Sequence, residues 1–122
     1  FIGSPAMNFI EGTLRGGVVM AADGARLPMP AKSDAAEGQG VVYGIRPEHL
    51  VPSGAGDAVL SGTVEMVEQL GADMLIHVAH GPQLILARVA HGTLPGIGST
   101  MHFQAAPASV FLFDAAHGGR LA

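Results

Sequence analysis

Gly44-Ile45-Arg46-Pro47-Glu48-His49-Leu50 divides the chain into two strand-rich blocks. Just before it, Gly40 to Arg46 reads as an apolar strand. Pro47 fixes its own φ and pushes Arg46 toward extended geometry, so the strand must end there in a tight turn. Such a turn brings Arg46 and Glu48 near each other, with His49 beside them. A charge-assisted bond between the two charges would lock it. Arg46, Glu48 and His49 are therefore read as a turn lock or, if exposed, as a contact for a partner.

Upstream, Asn8 to Arg15 and Gly17 to Ala22 read as strands, with Asp23-Gly24 as a two-residue hairpin turn. Ala25 to Leu27 returns beside them, and Pro28 and Pro30 should stop the pairing. Ala31 to Gln39 is small and polar and reads as a loop. Asp34 to Glu37 and Pro47 to Leu50 are each long enough for one helical turn and no more.

Downstream, Val51 to Gly56 reads as a loop, and the border between two lobes is expected near residues 47–57. Ala58 to Leu70 is a long strand, with Val64, Met66, Glu68 and Leu70 on one face and a bulge at Gly62. Gly71-Ala72-Asp73 is a turn. Met74 to Val78 alternates, with Met74, Ile76 and Val78 on one side and Leu75 and His77 on the other. Ala79 to Pro82 closes a hairpin and Gln83 to Val89 returns. Pro95 to Gly98 is a turn, and Ser99 to Gln104, Val110 to Asp114 and Arg120 to Ala122 complete the strands. About nine to eleven short strands at this spacing predict an all-β sandwich or barrel.

Composition agrees with that architecture. The 122 residues include 18 Gly and 8 Pro, too many breakers for long helices. Six Lys and Arg against ten Asp and Glu give a net charge of −4 and no basic run, which argues against nucleic acid. There is no Cys, so disulfides and thiolate zinc sites are excluded. No apolar run approaches the ~20 residues that span a bilayer as a helix.

Sites of chemistry are sparse. The six His show no HxH or HExxH spacing, so no metal site is expected. Glu65 and Glu68 fall on opposite faces of a regular strand, which disfavours paired acid–base work. Gly16-Gly17 and Gly118-Gly119 lack the GxxxxGK[ST] pattern of a phosphate loop, and Lys32 is the single Lys. Met20, Met29, Met66, Met74 and Met101 are expected to fill the core.

FIGSPAMNF (Phe1–Phe9), GIRPEHL (Gly44–Leu50), VEQLGAD (Val67–Asp73) and FLFD (Phe111–Asp114) occur in this order. Together they resemble the C-terminal regulatory domain of the ATP-binding subunits of carbohydrate-type ABC importers, and the likeness covers essentially the whole chain. Leu70-Gly71-Ala72-Asp73, Arg88-Val89-Ala90-His91 and Gly98-Ser99-Thr100 look most like the sn-glycerol-3-phosphate branch of that family. The family commonly has His-Leu-Phe where this chain has Phe111-Leu112-Phe113, so any role of that His is not carried over.

The resemblance implies an OB-like (TOBE) β-barrel of two interleaved lobes over residues 8–122, preceded by a remnant of the junction with an ATPase domain at residues 1–7. It implies a regulatory and dimerisation role with no catalysis by this segment, ATP and Mg belonging to the upstream domain. The implied partners are a second copy of the subunit, membrane permease subunits and a cytoplasmic regulator, at the cytoplasmic face of the inner membrane. Glu68, Gly71 and Asp73 are then expected at a subunit or partner contact. The alternative is a module that binds a small oxyanion or sugar phosphate. Its cations, Arg15, Arg26, Lys32, Arg46, Arg88 and Arg120, are scattered along the chain.

Overall fold

A computed structural model describes residues 7–21, 25–29, 33–92 and 95–121. Among them there is no α-helix; ten strands and three short 3-10 turns make up the regular structure. The strands are β1 (Asn8–Arg15), β2 (Val18–Ala21), β3 (Arg26–Pro28), β4 (Gly40–Ile45), β5 (Val51–Pro52), β6 (Leu60–Gln69), β7 (Asp73–His80), β8 (Gln83–Ala90), β9 (Thr100–Gln104) and β10 (Val110–Asp114). The expected Asp23-Gly24 turn, the stop at Pro30 and the junction at residues 1–6 lie outside the described residues.

Two five-stranded antiparallel sheets result, ordered β10-β4-β1-β2-β3 and β5-β9-β6-β7-β8. The last strand returns to the first sheet, so the two halves of the chain are interleaved. The second sheet curls until its outer strands β5 and β8 touch. Curling brings the inner faces together, and one core runs through both sheets. Tyr43, Ile45 and Leu112 of the first sheet meet Leu60, Ile76, Ile85 and Phe103 of the second in it. Each such fully buried side chain contributes about 1.5–3 kcal/mol.

Local sequence explains the joints. Gly16 and Gly17 have φ of 59° and 83° and link the paired residues Arg15 and Val18. Two successive positive φ values define a type I′ hairpin turn, which glycine adopts without strain. The strand expected from Gly17 accordingly begins at Val18. Pro28 pairs with Val18 as the last residue of β3, so it ends the strand from inside it. Leu70 N–H bonds Asp73 C=O at 2.8 Å across the turn expected at Gly71-Ala72-Asp73, whose last residue opens β7.

Several expectations are corrected. Val51–Pro52 is not loop but a short strand against β9. Asp34 to Glu37 forms no helical turn. The bulge in β6 lies between Val64 and Met66, not at Gly62. Glu65 is the extra residue there, so Val64 and Val67 both turn inward. Met66 and Glu68 therefore leave the face occupied by Val64: Val64 is 1% exposed and Met66 45%. Met66 is accordingly not a core residue. Gly62 has a different function, because a Cβ there would strike the backbone carbonyl of Ala79 on β7.

Candidate functional site: an aromatic face flanked by arginines

The turn at Pro47–His49 is a single 3-10 turn that packs against β8, with Pro47 buried. His49 N–H bonds Arg46 C=O at 3.0 Å, and Leu50 N–H bonds Pro47 C=O at 3.3 Å. Leu50 is 1% exposed and anchors the turn in the core. The backbone and two apolar anchors therefore hold this turn. No ion pair joins Arg46 to Glu48 among the described residues, which corrects the expected charge lock. Nδ1 of His49 is buried without a hydrogen-bond partner among the described residues.

Arg46 instead lies over the ring of Phe111 on β10, its Cζ 5.8 Å from the ring centroid. Arg120 lies over the same ring at 4.7 Å. Each contact is attractive by about 0.5–1 kcal/mol where exposed. Residues 46 and 120 meet because β10 pairs with β4, placing Phe111 opposite Gly44. Phe113–Arg120 is itself a β-bridge, which folds the chain end back onto β10.

The same face continues onto β1. Phe9, Gly44 and Phe111 are neighbours across three strands, so they share the outer side of the first sheet. Phe9 and Phe113 meet edge to face at 6.0 Å between centroids. Gly44 leaves the space beneath them: an added Cβ would lie 2.6 Å from Met7 Sδ and 3.1 Å from Phe113 Cε2. Phe9 is 48% exposed, large for an aromatic side chain with neighbours on its own face. A cleft of about 270 Å³ opens beside it, between β1 and the β7–β8 turn. The result is an apolar, partly exposed surface with two fixed positive charges at its edge. Sequence reading singled out Arg46 as a site residue but not Phe9, Phe111 or Phe113, which share one face because β10 returns to β4 beside β1.

The second group of expected contact residues lies elsewhere. Glu68 bonds His77 Nε2 at 2.6 Å and Asp73 accepts from Arg88 Nε at 2.9 Å, both on the outer side of the second sheet. His91 and Gln69 meet beside them at 2.6 Å. Gly71 sits at the exposed β6–β7 turn with φ of 85°. These residues form cross-strand polar pairs of the kind that stabilise a sheet surface. Met66 and Leu70, 45% and 41% exposed, accompany them. No group of three or more metal-ligating side chains occurs among the described residues. Among the described residues no helix is long and apolar enough to cross a membrane.

Residues 3–50 match the family described as the MalK OB fold domain, and residues 43–113 match the TOBE domain. The two matches overlap across Tyr43 to Leu50. The sulfoquinovosyl glycerol transport ATP-binding protein SmoE of Agrobacterium fabrum is 37% identical over 119 residues, covering 94% of this chain and 33% of its own length. The sn-glycerol-3-phosphate import ATP-binding protein UgpC of Yersinia pestis bv. Antiqua is 38% identical over 123 residues, covering 99% of this chain and 34% of its own. The chain thus spans about a third of the length of these relatives. Among solved structures, the cytoplasmic molybdate-binding protein ModG superposes with a TM-score of 0.65 at 19% identity, over 86% of this chain and 94% of that one. That likeness concerns the fold, and it agrees with the OB-like barrel seen here. On the sequence match across residues 43–113 and the ATP-binding subunits aligned along its length, this chain belongs to the TOBE domain family.

Proposed function

We propose that this chain is the regulatory and dimerisation segment of an importer ATP-binding subunit, serving uptake of sn-glycerol-3-phosphate or a related sugar-type solute. The observation that carries the reading is the outer aromatic face. Phe9 is half exposed beside Phe113, over the space kept by Gly44, with Arg46 and Arg120 at its edge. A barrel with a full core has no internal use for such a surface, and exposed apolar patches with polar rims serve contacts.

In this reading Arg46, Glu48 and His49 set the edge of a regulator contact. Glu68, Gly71 and Asp73 form a second contact toward a partner subunit. The segment carries no phosphate-loop pattern, so ATP and Mg would be held by the remainder of the subunit. Two such subunits would work with membrane permeases at the cytoplasmic side of the inner membrane. A regulator that binds one arrangement of the dimer better than the other would shift the ATPase between states by that difference in affinity.

The test uses the full-length subunit assembled with its permeases. Deleting residues 8–122 should abolish regulation of transport and weaken dimerisation, read by light scattering and uptake. Unchanged dimerisation, transport and inhibition after that deletion would remove the proposal.

A further inference from the structure

We infer that the outer side of β1 holds a binding site for a neutral polyhydroxy ligand, a short oligosaccharide. The site needs Phe9 to be exposed and does not depend on whether a regulator meets the aromatic face. Successive strand residues alternate between faces, so Phe9, Glu11, Thr13 and Arg15 form one row along the outside. That row is about 20 Å long. Phe9 and Glu11 border the cleft of about 270 Å³ beside the β7–β8 turn, with Pro82 and Gln83 also on its wall. Glu11, Thr13 and Arg15 border a second, open cleft of about 460 Å³, with Met20 on its wall. Glu11 and Ala21 line both, so the two clefts adjoin.

Charge decides the class of ligand. The side chains of Glu11 and Arg15 make no hydrogen bond or ion pair among the described residues. A small anion would face Glu11 and a cation would face Arg15, so the row favours neither sign. A neutral ligand with many hydroxyls suits both. The carboxylate accepts O–H groups, the guanidinium donates to oxygens, and the Thr13 hydroxyl does either. Phe9 adds an apolar platform: it meets Phe113 edge to face, and its 48% exposure leaves ring surface for a flat partner. A sugar ring has an apolar C–H face bounded by hydroxyls, which matches an aromatic ring beside a few polar groups. An extended peptide fits less well, because β1 is an interior strand paired with β4 and β2 and offers little free edge for strand addition.

NMR titration of the purified chain with maltotriose, cellotriose and chitotriose tests this, with sn-glycerol-3-phosphate as the anionic control. At least one trisaccharide should bind saturably and shift the amides of Phe9, Glu11, Thr13 and Arg15. Glu11→Gln should weaken binding about tenfold, the loss of a hydrogen bond to a charged group. Phe9→Leu should weaken it too, while Phe9→Trp keeps it; a purely structural role for Phe9 would not separate the two. Arg15→Gln gives a further reading if either weakened variant melts early. Glu68→Gln, on the second sheet, should leave binding unchanged. Binding is read without reference to dimerisation or uptake, so the function proposed above can fail while the site stands, and the reverse. The inference is overturned if no trisaccharide binds, if the shifts fall on other strands, or if the anion binds as well as the sugars. It is equally overturned if folded Glu11→Gln and Phe9→Leu bind like the native chain.

Discussion

The side chain of Asn8 imitates a strand for Leu86. Its Oδ1 accepts the Leu86 N–H at 2.9 Å and its Nδ2 donates to the Leu86 C=O at 2.7 Å. Asn8 opens β1 of the first sheet, while Leu86 lies on the outer strand β8 of the second. One carboxamide thereby satisfies both backbone groups of an edge residue and ties the sheets together. Gln83 adds a bond to the carbonyl of Phe9, so the residue that carries the exposed ring is fixed from behind. Whatever docks on Phe9 pushes against a position held by both sheets.

Asn8 is 6% exposed, so its loss leaves the part-buried N–H and C=O of Leu86 without these partners. Asn8→Ala should destabilise the chain by about 2–3 kcal/mol. Asn8→Asp should be destabilising too, because a carboxylate cannot donate to the Leu86 carbonyl. Denaturant titration of both variants checks this. Hydrogen exchange at Leu86 should rise more than at Tyr43, which separates loss of the tie from general loosening.

Tyr43 is the chain's one tyrosine, fully buried, and its hydroxyl donates to the Pro28 carbonyl at 3.0 Å. Burial pushes the hydroxyl well above its ordinary value of 10.0. The fold thus favours the neutral phenol, and this contribution is complete below pH 10.0 and is lost as pH rises further. Phenolate absorbance, uncomplicated by Trp, should therefore appear together with loss of strand circular dichroism. Phenolate that forms while the fold persists would contradict the burial argument. Tyr43→Phe should cost about 1 kcal/mol and abolish this alkaline step.

Much of the fold was legible because strand periodicity and turn chemistry are local. The limits of β1 and β10 agree residue for residue with the sequence reading, since Asn8–Arg15 ends at two glycines and Val110–Asp114 alternates with period two. What sequence did not convey was which sheet each strand joins. The return of β10 to β4 is a long-range pairing, and it alone brings Phe111 to Arg46. The β6 bulge escaped for a related reason. Glycine is not its marker here: the inward positions of Val64 and Val67, with Glu65 and Met66 between them, go with the register shift. The Arg46–Glu48 pairing failed because an aromatic ring from the far end of the chain offered the arginine a better partner.

Asp114 supplies a test on the acid side. Its Oδ1 accepts N–H groups of Ala116 at 2.7 Å and His117 at 3.1 Å, and its Oδ2 accepts from Gln39 at 2.8 Å. The Ala116 and His117 amides are the largest causes holding its pKa below the ordinary 3.8, with Gln39 and the His117 charge adding to them. A depressed carboxylate contributes stability that is present above 3.8 and is lost as pH falls below it. Asp114→Asn keeps an oxygen for the amides but has no charge to lose. Thermal melts recorded across that range should show a shallower acid decline for the variant than for the native chain. An identical decline would assign acid sensitivity to other carboxylates.

The aromatic face offers the prediction that separates contact from stability. Phe9 is 48% exposed, so Phe9→Ser should change the melting free energy by no more than about 1 kcal/mol. Gly44→Val acts on the same face from beneath: its side chain must displace Met7 and Phe113, and overpacking of this kind costs about 1–3 kcal/mol. Arg46→Ala removes one of two cations over Phe111, with a cost of about 0.5–1 kcal/mol. In the full-length subunit, Phe9→Ser and Arg46→Ala should leave unregulated uptake near its native rate while making it insensitive to a regulator that inhibits the native transporter. Gly44→Val should lose inhibition too, since it moves the rings rather than removing them. If all three respond to the regulator as the native protein does, the face has another occupant. The second sheet, with Glu68, Gly71 and Asp73, then becomes the surface to substitute.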